Sequence, residues 1–134
     1  MWIDPAELSD EVAISAITLA ELSAGPHQVR PTAKQALYEE HAERAWRLEI
    51  LQRVANEFDT IPFGPGVARS FGRLTAAVVA SARQPRRWAL DVLIAATAVA
   101  EGLPLFTINP ADFAGLGGLL DMVPITRPSI QSAR

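Results

Sequence analysis

The feature that most constrains the fold is an alternation of short apolar, β-branched runs with longer segments of helical periodicity. Residues 12–18 (VAISAIT) are apolar on both alternating faces, which is typical of a strand covered on both sides. A similar run at 103–107 (LPLFT) follows a helix predicted over 88–100. Because parallel strands need crossover connections, this alternation predicts an α/β domain with a central, mainly parallel sheet flanked by helices.

Glycine and proline residues mark the ends of the remaining predicted elements. A short helix after the first strand ends at Gly25-Pro26, and Thr18 and Glu21 have the spacing of a capping box. Further helices are predicted over 32–55 and 67–82, and further short strands over 58–63 and 121–125. The last strand contains a proline, which predicts an edge position. In the long helix, Trp46 is predicted to lie in the core.

The chain length of 134 residues predicts a single domain, placed over 1–126, with a frayed tail over 127–134. Only eleven residues precede the first predicted strand, whereas sheets of this class usually begin with a strand and a crossover helix. We therefore expect the first strand of the sheet to be missing.

Composition excludes several classes of site and location. The absence of cysteine excludes disulfide frameworks and cysteine-based zinc sites, and a net charge of -3 gives no broad electropositive surface. The most apolar stretch, 88–100, contains Asp91 and is shorter than the roughly 20 residues that a membrane helix needs. Residues 1–10 carry no basic leader. We predict a cytoplasmic protein that does not enter a membrane.

Three acidic residues lie where an open α/β sheet binds its ligands. Glu21 and Asp112 follow the two clearest strands, and Asp91 is in the first turn of the helix predicted over 88–100. Three carboxylates converging at one sheet edge would repel one another unless a divalent cation neutralised them, which predicts Mg²⁺ or Mn²⁺. Such a metal ion can activate water and stabilise the departing oxygen of a phosphodiester.

Each acid also has a purely structural explanation. Glu21 can close the capping box with Thr18, and Asp91 can stabilise the positive end of its helix by about 0.3–1 kcal/mol. Asp112 can lie in the first turn of a helix capped by Asn109. The spacing of the acids alone leaves both explanations open.

Residues 12–22 (VAISAITLAEL) and 89–113 (ALDVLIAATAVAEGLPLFTINPADF) resemble the PIN-domain ribonucleases, specifically the VapC toxins of toxin–antitoxin pairs. The second run is the more specific, because it combines an acid before IAATA, then GLPL, a Thr-x-Asn and a final Asp-Phe. The resemblance implies a metal-dependent endoribonuclease that cuts RNA. It implies that Mg²⁺ is held by the family's second, third and fourth acids, which are Glu21, Asp91 and Asp112. It also implies that the metal pocket is flanked by Thr107 and Asn109.

The same resemblance implies a homodimer and capture by a VapB-type antitoxin. The chain departs from the family at the first acid, which in the family ends an initial strand and precedes Thr-Ser. Here the nearest acid is Asp4, which precedes Pro5-Ala6 and is assigned to a loop. We expect either an upstream start or a degraded family member. The alternative function is therefore a catalytically inactive PIN remnant that only dimerises or binds an antitoxin.

Overall fold

The computed structural model of the chain describes residues 12–29, 37–80 and 85–126. Its strands and α-helices are, in chain order, β1 (Ala13–Ser15), α1 (Ala16–Ala24), α2 (Leu37–Glu57), β2 (Asp59–Ile61), α3 (Pro65–Ala80), α4 (Pro85–Glu101), β3 (Leu105–Thr107) and β4 (Met122–Pro124). Short 3₁₀ helices follow α1 and β3, at Gly25–Gln28 and Pro110–Phe113. The described residues fall into two compact units, one formed by Ala13–Pro62 and the other by Val12 with the residues from Phe63 onward.

In the first unit a strand passes directly into a helix, and Ser15 marks the boundary. β1 pairs in parallel with β2, with Ser15 opposite Ile61. Ser15 has extended backbone, and its Oγ accepts a hydrogen bond from the Thr18 backbone N–H at 3.0 Å, as an N-cap does. The strand predicted over 12–18 is too long, because this cap starts α1 at Ala16. The predicted capping box of Thr18 and Glu21 is also wrong, since Thr18 lies inside the helix.

The inward side of α2 carries arginines that satisfy backbone carbonyls of the same unit. Arg47 Nη1 donates to the Gly25 carbonyl at 3.0 Å, and Arg44 Nε donates to the Pro26 carbonyl at 3.3 Å. Carbonyls at the end of a helix lack backbone donors, so these contacts satisfy carbonyls just after α1, in the 3₁₀ helix that follows it. With its arginines turned inward, α2 leaves Trp46 37% exposed. The prediction of Trp46 as a core residue is therefore wrong.

The second unit has its core between α3 and α4, which pack against each other. Leu74 of α3 and Val92 of α4 are each 1% exposed, and Trp88 is 4% exposed. α4 ends at Glu101, and the following Gly102 has a φ of 66°, a left-handed conformation that favours glycine. The Gly102 N–H donates to the Val99 carbonyl at 3.2 Å and closes the last turn.

The strands of the second unit, β3 and β4, also pair in parallel, with Thr107 opposite Pro124. The Ile125 N–H donates to the Thr107 carbonyl at 2.9 Å, and the Leu105 N–H donates to the Asp121 carbonyl at 2.8 Å. The strand predicted over 121–125 is thus confirmed, in a slightly shorter form.

The predicted α/β class with parallel strands is confirmed, because both strand pairs are parallel. In the described ranges the strands form two separate two-stranded pairs, where a central sheet was expected. Asp4 and the tail over 127–134 lie outside the described residues, and the single domain over 1–126 stays a prediction. No helix in the described part of the chain combines the length and apolar character needed to cross a membrane.

Candidate active site

Asp91 lies in the second turn of α4, at the border of the buried side. The helix begins at Pro85, three residues earlier than predicted, and its first turn holds no acidic residue. Asp91 is half-buried, and its neighbours Trp88 and Ala95 are 4% and 0% exposed. The stabilising effect of a helix dipole falls off within the first turn. The dipole explanation of Asp91 is therefore weakened, and the packing of α4 positions this carboxylate.

A tight turn after β3 carries the next three predicted residues. Thr107 Oγ1 accepts a hydrogen bond from the Asn109 backbone N–H at 3.0 Å, and the Asn109 carbonyl accepts one from the Asp112 backbone N–H at 3.0 Å. Asp112 lies in the first turn of the 3₁₀ helix and Asn109 is its N-cap residue, as predicted, but the Asn109 side chain makes no capping hydrogen bond to that helix. Thr107 and Asn109 instead fix the backbone path that leads to Asp112.

Asp91 and Asp112 lie on two elements that contact each other within the second unit. The 3₁₀ helix Pro110–Phe113 packs against α4, and Phe113, 6% exposed, anchors it in the core shared with Trp88 and Val92. Asp112 is exposed, whereas Asp91 is half-buried. The structure thus brings together the elements that carry the third and fourth predicted acids, one half-buried at the border of the core and the other exposed.

Glu21 belongs to the first unit, on α1, and is exposed. With Leu22, Gly25, Arg47 and Ile50 it lines a small cavity of about 180 Å³ between α1 and α2. Because Ser15 is the N-cap, Glu21 has no capping role. Within residues 12–29, 37–80 and 85–126, no three acidic or histidine side chains are grouped so as to hold a metal ion. The three-carboxylate set stays a prediction.

Sequence reasoning did not predict a larger cavity, which lies in the unit that holds Asp91. A cavity of about 500 Å³ lies between α3 and α4, and its polar lining comes from Arg69, Ser70 and Arg73 of α3. The available signal was the i, i+4 spacing of the arginines, which places them on one face of a helix.

Comparison with known proteins gives a consistent family. Residues 2–118 match the model of the PIN domain. The chain is 36% identical over 116 residues to Ribonuclease VapC5 of Mycobacterium tuberculosis, a match that covers 87% of this chain and 76% of that protein.

Two solved structures are similar in fold. One is the crystal structure of VapBC-5 from Mycobacterium tuberculosis, a member of the VapBC family of toxin–antitoxin systems. It has a TM-score of 0.74 and 33% sequence identity, and the match covers 95% of this chain and 90% of that one. The other is VapBC2 from Rickettsia felis bound to a DNA fragment from their promoter. Its TM-score is 0.59 and its identity 23%, and the match covers 86% of this chain and 75% of that one. The second likeness concerns the fold alone.

Proposed function

This chain belongs to the PIN-domain family, and from that premise we propose that it is an endoribonuclease that acts as the toxin of a toxin–antitoxin pair. The likeness to a VapC ribonuclease extends over most of both chains, so it is not confined to one motif. The observation that carries the proposal is the packing of the 3₁₀ helix Pro110–Phe113 against α4, because these two elements bear Asp112 and Asp91. The proposed reaction is hydrolysis of RNA phosphodiester bonds.

The proposed cofactor is a divalent cation, Mg²⁺ or Mn²⁺. The donor chemistry fits such an ion, since Asp91 and Asp112 offer carboxylate oxygens and a chain without cysteine offers no thiolate for a softer metal. Asp91 and Asp112 would hold the ion, and Glu21 is assigned as a further ligand from the sequence pattern. When bound, the ion supplies an activated water and stabilises the leaving oxygen.

The neighbouring residues of the chain act by positioning. The hydrogen bond from the Asn109 N–H to Thr107 Oγ1 holds the turn after β3, and the Asn109 carbonyl starts the 3₁₀ helix through the Asp112 N–H. Phe113 anchors that helix against α4. These contacts limit the freedom of the Asp112 carboxylate relative to Asp91, which lowers the entropic cost of assembling a site.

A VapB-type antitoxin and a second copy of this chain are the proposed protein partners. The proposal rests on the relatives, one of which is a structure from the VapBC family of toxin–antitoxin systems. Light scattering of the purified chain tests the homodimer directly, since a solution mass of one chain contradicts it.

The test of the ribonuclease is cleavage of a labelled RNA by the purified chain in Mg²⁺ or Mn²⁺. Asp91→Asn removes the charge with little change of shape, and we expect activity to fall by about 100-fold or more while the thermal midpoint stays within a few degrees. Glu101→Gln is the matched control, because it makes the same chemical change at an exposed position of the same helix.

The same assay separates the ribonuclease from the inactive remnant. Cleavage by the unaltered chain that persists undiminished in Asp91→Asn contradicts the assignment of the site. No cleavage of any RNA by a folded chain in either metal favours the remnant.

A further inference from the structure

The larger cavity of the second unit differs in character from the acidic site. It has a volume of about 500 Å³ and is formed by the first half of α3 and the end of α4. Its lining residues are Gly66, Arg69, Ser70, Arg73, Val99 and Ala100. Both charged residues of this lining are cationic, so an occupant is expected to be an anion.

The two arginines are arranged to act together. Arg69 and Arg73 are four residues apart on α3, so their side chains leave the helix on the same face. Arg73 Nη2 donates to Ser70 Oγ at 3.1 Å, and Ser70 is only 1% exposed. A buried hydroxyl therefore fixes one edge of the Arg73 guanidinium and leaves its other N–H groups for a ligand.

Neither arginine is neutralised by a carboxylate in the part of the chain that the structure describes. Ion pairs on α2 join Arg44, Arg47 and Arg53 to glutamates at i−4, and these pairs do not involve Arg69 or Arg73. Arg69 and Arg73 are both exposed. Two accessible guanidinium groups on one cavity wall are suited to a phosphate, because their planar forks match its oxygen geometry.

The start of α3 adds to this positive environment. The first backbone hydrogen bond of the helix runs from the Ala68 N–H to the Gly64 carbonyl, so the Gly66 N–H precedes the helical ladder. Such N–H groups carry a partial positive charge. A Cβ at Gly66 would meet nothing within 4 Å, which leaves open space beside the arginines.

We propose that this cavity binds a backbone phosphate of the RNA at a distance from the acids, an inference that rests on the proposed ribonuclease function. Asp91 and Ala100 are nine residues apart on α4, which corresponds to about 13.5 Å at about 1.5 Å per residue. This rise along the helix axis is a lower bound on the separation; because a stacked strand has one phosphate per about 3.4 Å, the cavity lies at least about four nucleotides from Asp91. The cavity holds the RNA strand, and the acidic residues take part in its cleavage.

The first experiment measures RNA binding without cleavage. Fluorescence anisotropy of a labelled single-stranded RNA, in chelator, gives the association constant of the full chain from 50 to 300 mM NaCl. Each of Arg69→Ala and Arg73→Ala removes one phosphate contact. We expect the slope of log K against log salt to fall by about 0.7 in magnitude, and the affinity at 0.1 M salt to fall by about fivefold. Arg53→Ala, at a half-buried arginine of α2, is the control and is expected to change neither quantity.

A second pair of variants changes the charge of the cavity without removing an arginine. Gly66→Glu places a carboxylate in open space at the first turn of α3, where an acid also favours the helix dipole. We expect RNA affinity to fall while the thermal midpoint is unchanged or raised. Gly66→Gln has the same size without the charge and is expected to retain most of the affinity.

Several results would overturn the inference. One is an unchanged slope of log K against log salt in both arginine variants. Another is a lowered thermal midpoint with full RNA affinity, which would mean that the arginines stabilise the end of α4. Loss of binding to an acidic antitoxin segment, with RNA binding intact, would assign the cavity to that partner instead.

The inference and the ribonuclease function can fail separately. Arginine-dependent RNA binding by a chain that never cleaves supports the phosphate site and contradicts the nuclease. Cleavage that is indifferent to Arg69 and Arg73 at every RNA length supports the nuclease and contradicts the site. With both correct, the arginine variants raise KM for RNAs that extend about four or more nucleotides beyond the cut, and leave shorter substrates unaffected.

Discussion

Replacing Ser15 by alanine tests how the strand-to-helix junction beside Glu21 is built. Ser15 is 7% exposed, and its Oγ lies 3.0 Å from both the Thr18 backbone N–H and Thr18 Oγ1. The substitution removes the N-cap acceptor and leaves a partly buried donor unpaired. A lost serine cap costs about 1 kcal/mol, within a range of about 0.5–2 kcal/mol. The partial burial favours the upper half of that range.

The assay is thermal and urea unfolding of the full chain, followed by circular dichroism. A loss of about 1–2 kcal/mol corresponds to a fall of the midpoint by roughly 3–8 °C for a chain of 134 residues. Glu21→Gln is the companion variant, and we expect it to change stability by less than about 0.5 kcal/mol because Glu21 is exposed and lies beyond the first turn, out of capping-box position. The reasoning is refuted if Glu21→Gln destabilises the chain while Ser15→Ala does not, since that is the signature of the capping box.

Three further outcomes are expected. Trp88→Ala should lower the free energy of unfolding by about 3–5 kcal/mol, and Trp46→Ala by about 1 kcal/mol or less, because Trp88 is 4% exposed and Trp46 37%. Equal losses of the two variants in urea titrations would contradict the exposed position of Trp46 on α2. Gly102→Ala should cost about 1–2 kcal/mol because φ is 66°, whereas Gly117→Ala, with open space and no positive φ, serves as the thermal-unfolding control. Adding Mg²⁺ at about 100 times its Kd should stabilise the chain by about 2.7 kcal/mol; a midpoint that rises equally in Asp91→Asn would mean that the ion binds elsewhere.

The sequence predicted elements well and their ends less well. Apolar alternation identified β1, but it continued through Ala16 and Thr18, where the same residues also suit the inner side of a helix. The strand ends and the helix begins here because the Ser15 hydroxyl accepts a hydrogen bond from the Thr18 backbone N–H. Periodicity reports which face is covered and not where a cap is formed. For the same reason α4 was predicted to begin three residues late, at Trp88.

Part of the candidate site could also be predicted. Asp91 and Asp112 were identified from their place after or beside apolar runs, and they lie on elements in contact. The inward arginines of α2 could not be predicted, because the carbonyls that they satisfy, such as those of Gly25 and Pro26, become neighbours only after folding. Arg69 was missed because its i, i+4 spacing to Arg73 predicts only a shared helix face, and the cavity beside that face forms only on folding.

The register of β4 has a consequence for how the chain behaves at high concentration. The Asp121 carbonyl and the Ile125 N–H both point to β3, and backbone direction alternates along a strand, so an N–H at position 124 would point away from β3. Pro124 stands there and has no N–H to offer. A strand of another molecule that added to this side of β4 would therefore lack one backbone hydrogen bond. This disfavours extension of the β3–β4 pair into an intermolecular sheet. Self-association of this protein is accordingly expected to use side-chain packing and not strand addition at β4.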